Sequence, residues 1–366
     1  MPERTPSQAD PRRDPRLLEA IAKIAPGTEL RQAIDDIIRS REGALIVIGD
    51  AGELSFLFSG GIRIDHPFTP QFLYELSKMD GAIILDEHRR KLEMANVQLM
   101  PDPTIASSET GTRHRTAERV AKQTGCMVIS ISQQRETVTL FLDQFRYQLD
   151  PIAELLAKTN QALNTLETYR QRLDQVLTRL TALEFQNAVM LDDVLVVLQR
   201  AEMATRMADE IERDCVELGT EGRLIRMQLA ELVGDVPRDK EMIVRDYHVD
   251  GAPERVTESL AALGSMEYRS LLEYELMAIL GYPATINPVD HTVAPRGYRV
   301  LSQIPRLPDT VVREVVGGLE GLDAIVRASQ RELEGFSGVG AVRAREIREG
   351  LRRLQEHNLV DRFLQF

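Results

Sequence analysis

Residues 80–122 read DGAIILDEHRRKLEMANVQLMPDPTIASSETGTRHRTAERVAK, and the rest of the chain is organised around them. Asp80 and Gly81 open an apolar run, Ala82 to Leu85, with the composition of a buried strand. That puts the aspartate on a strand edge or turn, where a carboxylate reaches solvent or a metal. Arg113, His114 and Arg115 follow the polar run Ser107 to Thr112 and precede a helix-like stretch, Ala117 to Thr124. A helix start offers open backbone N–H groups and a favourable dipole, and guanidinium forks match phosphate oxygens in pairs. One carboxylate with a Gly-Thr-Arg-His-Arg cradle therefore suggests a metal-assisted reaction on a nucleotide phosphate. Each motif has a plainer reading: Asp-Gly as a turn, and Arg-His-Arg as a solvated face.

Outward from this stretch, Met1 to Asp14 holds Pro2, Pro6 and Pro11 with three arginines and little apolar surface, the pattern of a disordered tail. From Pro15, aliphatic residues recur at helical spacing on either side of Pro26-Gly27, so two helices precede the first strand. Ala44 to Ile48 is a continuous apolar run, and Phe56 to Phe58 leads through Gly60-Gly61 into the alternating Ile62-Arg63-Ile64. The glycine pair is either a close approach to a ligand or a turn or bulge. Phe72, Leu73, Leu76 and Met79 predict a short helix ahead of Asp80, while Met127 to Ser132 and Val138 to Leu142 predict two further strands. Residues 15–148 thus form an α/β domain, a mixed sheet flanked by helices.

A different composition begins at Pro151, since Ile152 to Leu218 runs 67 residues without proline or glycine. Unbroken, that helix would reach ~100 Å at 1.5 Å per residue, so a fold-back near Leu191-Asp192-Asp193 is expected. Its leucine stripe is a core or self-association surface, and residues 149–295 form an all-α spine. In residues 296–366, Gly338, Val339 and Gly340 followed by Arg343, Arg345 and Arg348 resemble a helix-hairpin-helix motif. Open N–H groups at the second helix would hold a DNA phosphate, with the arginines assisting. Twelve arginines against ten acids make this segment about +2, in a chain whose net charge is −12. The alternative is a hairpin used only for packing.

That net charge argues against a generally basic nucleic-acid-coating surface, so DNA binding would be local. The 366 residues, 43% of them hydrophobic, suffice for two or three cores. Cys126 and Cys215 show no metal spacing, and no apolar run approaches a membrane span or a signal peptide. A cytoplasmic protein without membrane contact is expected.

In their order and spacing, Asp80-Gly81-Ala82 and Arg113-His114-Arg115 resemble the marks of the diadenylate cyclase family. The strings KMDGAIILD, ANVQLMPDPTI and ETGTRHRTAERVAKQTG extend the resemblance to its DNA-scanning members, over nearly the whole chain from about Leu17. The resemblance implies that two ATP are joined into cyclic di-AMP with magnesium or manganese. Asp80 would bind the metal and help deprotonate the ribose 3′-OH, while Arg113, His114 and Arg115 complete the catalytic set. It further implies ATP contacts from Asp80, Gly81, Ala82, Leu99, Thr112, Arg113, His114, Arg115, Thr116, Ser132 and Arg135. Similar proteins carry a more basic run after Ser132, whereas this chain has Gln133 and Gln134 and keeps only Arg135, so Arg113 and Arg115 carry more of the phosphate. One site per chain against two substrates implies a homo-oligomer with cyclase domains face to face, an octamer, whose tail recognises branched DNA without sequence specificity and lowers synthesis. The rival expectation is a DNA-binding structural sensor that holds a nucleotide without cyclising it.

Overall fold

The structure is a computed structural model describing residues 10–88, 90–266 and 272–364. Two compact units emerge, residues 1–161 with 210–228 and residues 162–209 with 229–366. In chain order the first carries α1 (Pro15–Lys23), α2 (Glu29–Arg39), β1 (Ala44–Ile48), β2 (Phe58–Ser59), β3 (Ile62–Pro67), α3 (Pro70–Ser77), β4 (Ala82–Asp86), β5 (Lys91–Leu99), α4 (Thr112–Thr124), β6 (Met127–Ser132), β7 (Thr137–Leu142) and β8 (Phe145–Gln148). The eight strands form one mixed sheet in the order β2-β5-β4-β1-β6-β7-β8, with β3 also on β5. Among the described residues β1 and β4 are the parallel pair, and β5, β6, β7 and β8 add antiparallel neighbours.

The central strands read as unbroken apolar runs because both faces of the sheet are covered. Ile46, Ile83, Leu85, Ile129 and Ile131 pack with Leu17, Ile21, Ile34, Ile37 and Leu73 of the first three helices. The alternate residues Leu45, Val47, Ala82, Ile84 and Val128 pack with Ala117, Val120 and Ala121 of α4. Gly60 and Gly61 both take positive φ between β2 and β3, which is the turn reading of that pair.

Part of the expected disordered tail is ordered. Residues 1–9 lie outside the described residues, but Pro11–Arg13 form a 3-10 turn capped by Asp10, and the Arg12 side chain is buried. Its Nη1 lies 2.6 Å from Asp214 and 3.6 Å from Glu217, and Tyr147 donates to Glu217. A buried guanidinium persists only when paired, and against its burial Asp10 and Asp214 hold it in its charged form.

The helical expectation resolves into α5 (Ile152–Phe185) and α6 (Leu191–Leu218), with the break at residues 186–190, directly before the expected fold-back. In the first unit Thr159 of α5 donates to Asp214 of α6. In the second, Arg179 pairs with Asp193 near the turn, so the two helices form a hairpin. There follow α7 (Arg223–Val233), α8 (Val236–Tyr247), α9 (Pro253–Ser265), α10 (Glu273–Ile279), α11 (Tyr298–Ser302), α12 (Asp309–Gly318), α13 (Leu322–Arg327), α14 (Gln330–Glu334) and α15 (Ala341–Leu364). Within the second unit, fully buried Arg299 bonds Glu184 and Thr181, and Tyr247 donates to the same glutamate. Beside them, Asp246 accepts the backbone N–H groups of Gly297, Tyr298 and Arg299 at the start of α11.

Candidate nucleotide site

Strand register places the expected site residues at one end of the sheet. Ala82 opens β4 opposite Val97, so Leu99 at the end of β5 lies beside Asp80 and Gly81. Ala44 opens β1 opposite Ile131, and Ser132 ends β6 opposite Thr137, so the β6–β7 turn with Arg135 belongs to the same end. Arg113 reaches that end from α4, its Nη1 donating to the Ile131 carbonyl at 3.4 Å.

Two glycines make the approach possible. Gly81 takes φ +89°, and a Cβ there would sit 2.8 Å from the Val97 carbonyl oxygen, so a side chain would collide with β5. Gly43, just before β1, lies under the Arg113 guanidinium; a Cβ would come within 1.9 Å of Nη1. The sequence reading did not single out Gly43, whose only signal is a glycine directly ahead of a buried strand.

The cradle is helical, which corrects its expected position ahead of the helix. α4 begins at Thr112, so Arg113, His114 and Arg115 occupy its first turn, and Gly111 caps it without a side chain. Arg115 N–H already bonds the Gly111 carbonyl, leaving the three N–H groups before it as the open donors of the helix end. Thr112 and Arg115 are exposed, whereas Arg113, His114 and Thr116 are half-buried. The residues between β5 and α4 are strapped along the helix by its own polar side chains. Gln123 accepts from Asp102 N–H, Arg119 and Lys122 donate to the carbonyls of Ile105 and Ala106, and buried Glu118 accepts from Ser107 and Ser108. Lys122 and these donors hold the Glu118 carboxyl below its usual range despite burial.

Burial, reinforced by Arg146, Arg113 and Arg135 and opposed by Glu109, lowers the His114 pKa, so its imidazole is neutral at pH 7. Its ring meets Phe141 edge-on at 6.3 Å. Arg146, on β8, is a cation beside the cradle that the sequence reading missed. Ser132 is half-buried and accepts from Arg135 N–H, while Gln133, Gln134 and Arg135 are exposed.

Asp80 is exposed on the turn before β4, and a carboxylate so placed suits a magnesium-type ion, which takes one or two carboxylates and completes its shell with water and phosphate. It is not part of a preformed cluster. Among the described residues, the three-residue group with metal-ligand spacing is Asp50, Asp86 and Glu93, at the opposite end of the sheet.

In the C-terminal segment, α14 carries a capping box from Ser329 and Glu332, and the chain turns through Gly338 at φ +77° into α15. Val339 is buried with Leu333, Ala344 and Ile347, whereas Gly338, Gly340, Arg343, Arg345 and Arg348 are exposed. Arg343 folds back so that its Nη1 donates to the Gly338 carbonyl at 2.6 Å, leaving Arg345 and Arg348 directed away from the core.

Comparison with known proteins gives this geometry a family. Residues 31–145 match the family model described as DisA bacterial checkpoint controller nucleotide-binding, and residues 149–288 match the DisA bacterial checkpoint controller linker region. The chain is 49% identical over 346 residues to the DNA integrity scanning protein DisA of Carboxydothermus hydrogenoformans, covering 94% of this chain and 98% of that one. The chain belongs to the DisA family. The DisA proteins of Bacillus subtilis and Kineococcus radiotolerans are 45% and 44% identical, covering 93% and 100% of this chain and 94% and 100% of theirs. The nucleotide-binding match spans β1 to β7, so it contains the end of the sheet where Asp80 and the first turn of α4 stand. Family membership therefore supports a nucleotide cyclase. Among the described residues, no helix is long and apolar enough to cross a membrane.

Proposed function

We propose that this DisA-family chain condenses two ATP molecules into cyclic di-AMP with release of two pyrophosphates. The observation that carries the reading is the convergence of an exposed carboxylate, Asp80, and the open first turn of α4 on one end of one sheet. The helix N–H groups with Arg113 and Arg115 hold the polyphosphate, and Thr112 and Thr116 add hydroxyl donors. His114 contacts phosphate as a neutral imidazole. Gly81, Ala82 and Leu99 border the nucleotide, with Ser132 and Arg135 closing it from the β6–β7 turn. Asp80 would hold a magnesium or manganese ion, which would supply neutralisation of phosphate charge and a more acidic ribose 3′-OH. With Asp80 helping to remove its proton, the 3′ oxygen attacks the α-phosphate in line, and the new P–O bond forms as the bond from the α-phosphorus to the α–β bridging oxygen breaks and pyrophosphate leaves.

Each chain offers one such site, so the product requires two cyclase domains facing one another. The proposed assembly is an octamer built on that pairing. The C-terminal segment is a helix-hairpin-helix DNA-binding module. Gly338, Val339 and Gly340 expose the start of α15 to a backbone phosphate, and Arg345 and Arg348, with Arg343 once released from Gly338, supply charge. Such contacts read DNA shape rather than sequence, and branched DNA is the expected partner that lowers synthesis.

The test is stoichiometry. Cyclisation releases one pyrophosphate per ATP consumed and no free phosphate until pyrophosphatase is added. Phosphate released without pyrophosphatase would indicate simple ATP hydrolysis, and tight ATP binding without any release would favour a nucleotide-holding sensor.

A further inference from the structure

The pair formed by Glu109 and Arg146 is the best-defined feature beside the cradle that the proposed reaction leaves unused. Arg146 stands on β8 directly opposite Phe141, so their side chains share the face of the sheet that α4 covers. The His114 ring meets Phe141 on that face. From the other side, the residues that lead into Gly111 bring Glu109 into an ion pair with Arg146 Nε. The glutamate side chain is 13% exposed and the arginine 43%, so the anion is the better buried partner. Glu109 is fixed in turn, its N–H donating to Ser107 Oγ, which donates to buried Glu118 of α4. Charges acting on His114 come from three elements besides its own: Glu109 from the approach to α4, Arg146 from β8 and Arg135 from the β6–β7 turn, with Arg113 beside it on α4.

We propose that the Glu109–Arg146 ion pair is a positioning element of this site, tying the start of α4 to β8 and setting the charge that His114 presents to the nucleotide. The proposal rests on the nucleotide-cyclase reading of the first turn of α4. Its physical logic is that an anion and a cation held together leave the imidazole a nearly balanced field, and removing either unbalances it in a predictable direction. Arg146→Gln removes a cation and frees the anion, so His114 should gain a proton more readily. Glu109→Gln does the reverse. The same pair helps to fix Gly111, whose position sets where the open N–H groups of α4 point.

The test uses the full chain with 13C-labelled histidine, following the His114 imidazole resonance through a pH titration and assigning it by its loss in His114→Gln. Arg146→Gln should raise the titration midpoint and Glu109→Gln should lower it, each by a few tenths of a unit to about one unit for a partly screened charge at contact range. Arg146→Lys, which keeps the charge, should return the midpoint toward wild type. Both charge-removing variants should also raise the KM for ATP several-fold. Midpoints that move in the same direction, or not at all, would overturn the proposal, as would an unchanged KM in both variants. The titration needs no turnover, so a wild-type chain that makes no product would sink the cyclase reading without touching the midpoints.

Discussion

Changing Arg299 to Met should unfold the second unit at a markedly lower temperature, because the structure buries this cation against a carboxylate that has few other partners. Arg299 and Glu184 have side chains 1% and 0% exposed, and among the described residues the guanidinium supplies two of the hydrogen bonds to Glu184 and Tyr247 a third at 2.7 Å. Removing one member of such a pair strands a buried charge, at a cost of about 3–5 kcal/mol. At roughly 2–4 °C per kcal/mol for a domain of this size, the transition should fall by about 6–20 °C in scanning calorimetry of the full chain. The double variant Glu184→Leu with Arg299→Met removes both charges and should recover most of the loss, since a well-packed apolar replacement of a buried pair is often neutral. A drop below about 2 °C for the single variant, or a double variant whose loss equals the sum of the two singles, would refute the argument that the pair is coupled and buried.

Three further outcomes follow from the same physics. Burial and the nearby Glu184 carboxylate push the Asp246 pKa up to about 7, against the three N–H donors at the start of α11. An acid whose pKa is higher folded than unfolded binds more protons in the folded state, so its contribution to stability declines as pH rises from about 4 through about 7. Melting temperature measured from pH 5 to 8 should fall along that interval in the wild type and flatten in Asp246→Asn. Asp80→Asn should bind ATP within about threefold of wild type, by calorimetric titration, yet lose about 100-fold or more in product formation, because the arginines remain while the carboxylate charge is gone. If the C-terminal hairpin is the DNA sensor, a four-way junction should inhibit the wild type, and Arg343→Glu with Arg345→Glu should lose both that inhibition and junction binding in a gel-shift assay at low salt, because phosphate contacts dominate such binding. Equal inhibition of both proteins would return the C-terminal hairpin to a packing role.

Much of the first unit is legible in its residues because sheet burial writes itself as apolar runs. β1, β4, β6 and β7 are covered on both faces, and all four are expected from composition. β5 and β8 are not, for a physical reason. β5 carries Lys91, Glu93 and Asn96, the last at φ +54° beside a register shift, so it shows neither alternation nor an apolar run. β8 is a four-residue edge strand that alternates half-buried Phe145 and Tyr147 with the polar Arg146 and Gln148, too short to stand out as a strand in the sequence. The first turn of α4 escapes for a related reason: Thr112 to Thr116 has no apolar residue, because those positions lie at the helix mouth rather than on its packed face.

Long-range charge pairing leaves no local trace at all. Arg12 stands in a proline-rich, arginine-rich segment that composition marks as disordered, yet it is ordered by carboxylates some two hundred positions away. Arg299 and Glu184, 115 residues apart, are equally silent until the helices meet. At the site, Asp80 and the Arg-His-Arg turn are visible as motifs. Gly43 and Arg146 are not, since their relevance depends on what the fold sets over them.

The central claim is that Asp80 and the first turn of α4 together join two ATP molecules. Its most direct measurement is mass spectrometry of the products after the purified full chain is incubated with ATP and Mg²⁺ or Mn²⁺, beside Asp80→Asn under the same conditions. The account predicts cyclic di-AMP from the wild type, formed at a rate that rises more than linearly with protein at low concentration, and almost none from the variant. ATP recovered unchanged from the wild type under both metals, or equal cyclic di-AMP from both proteins, would contradict it.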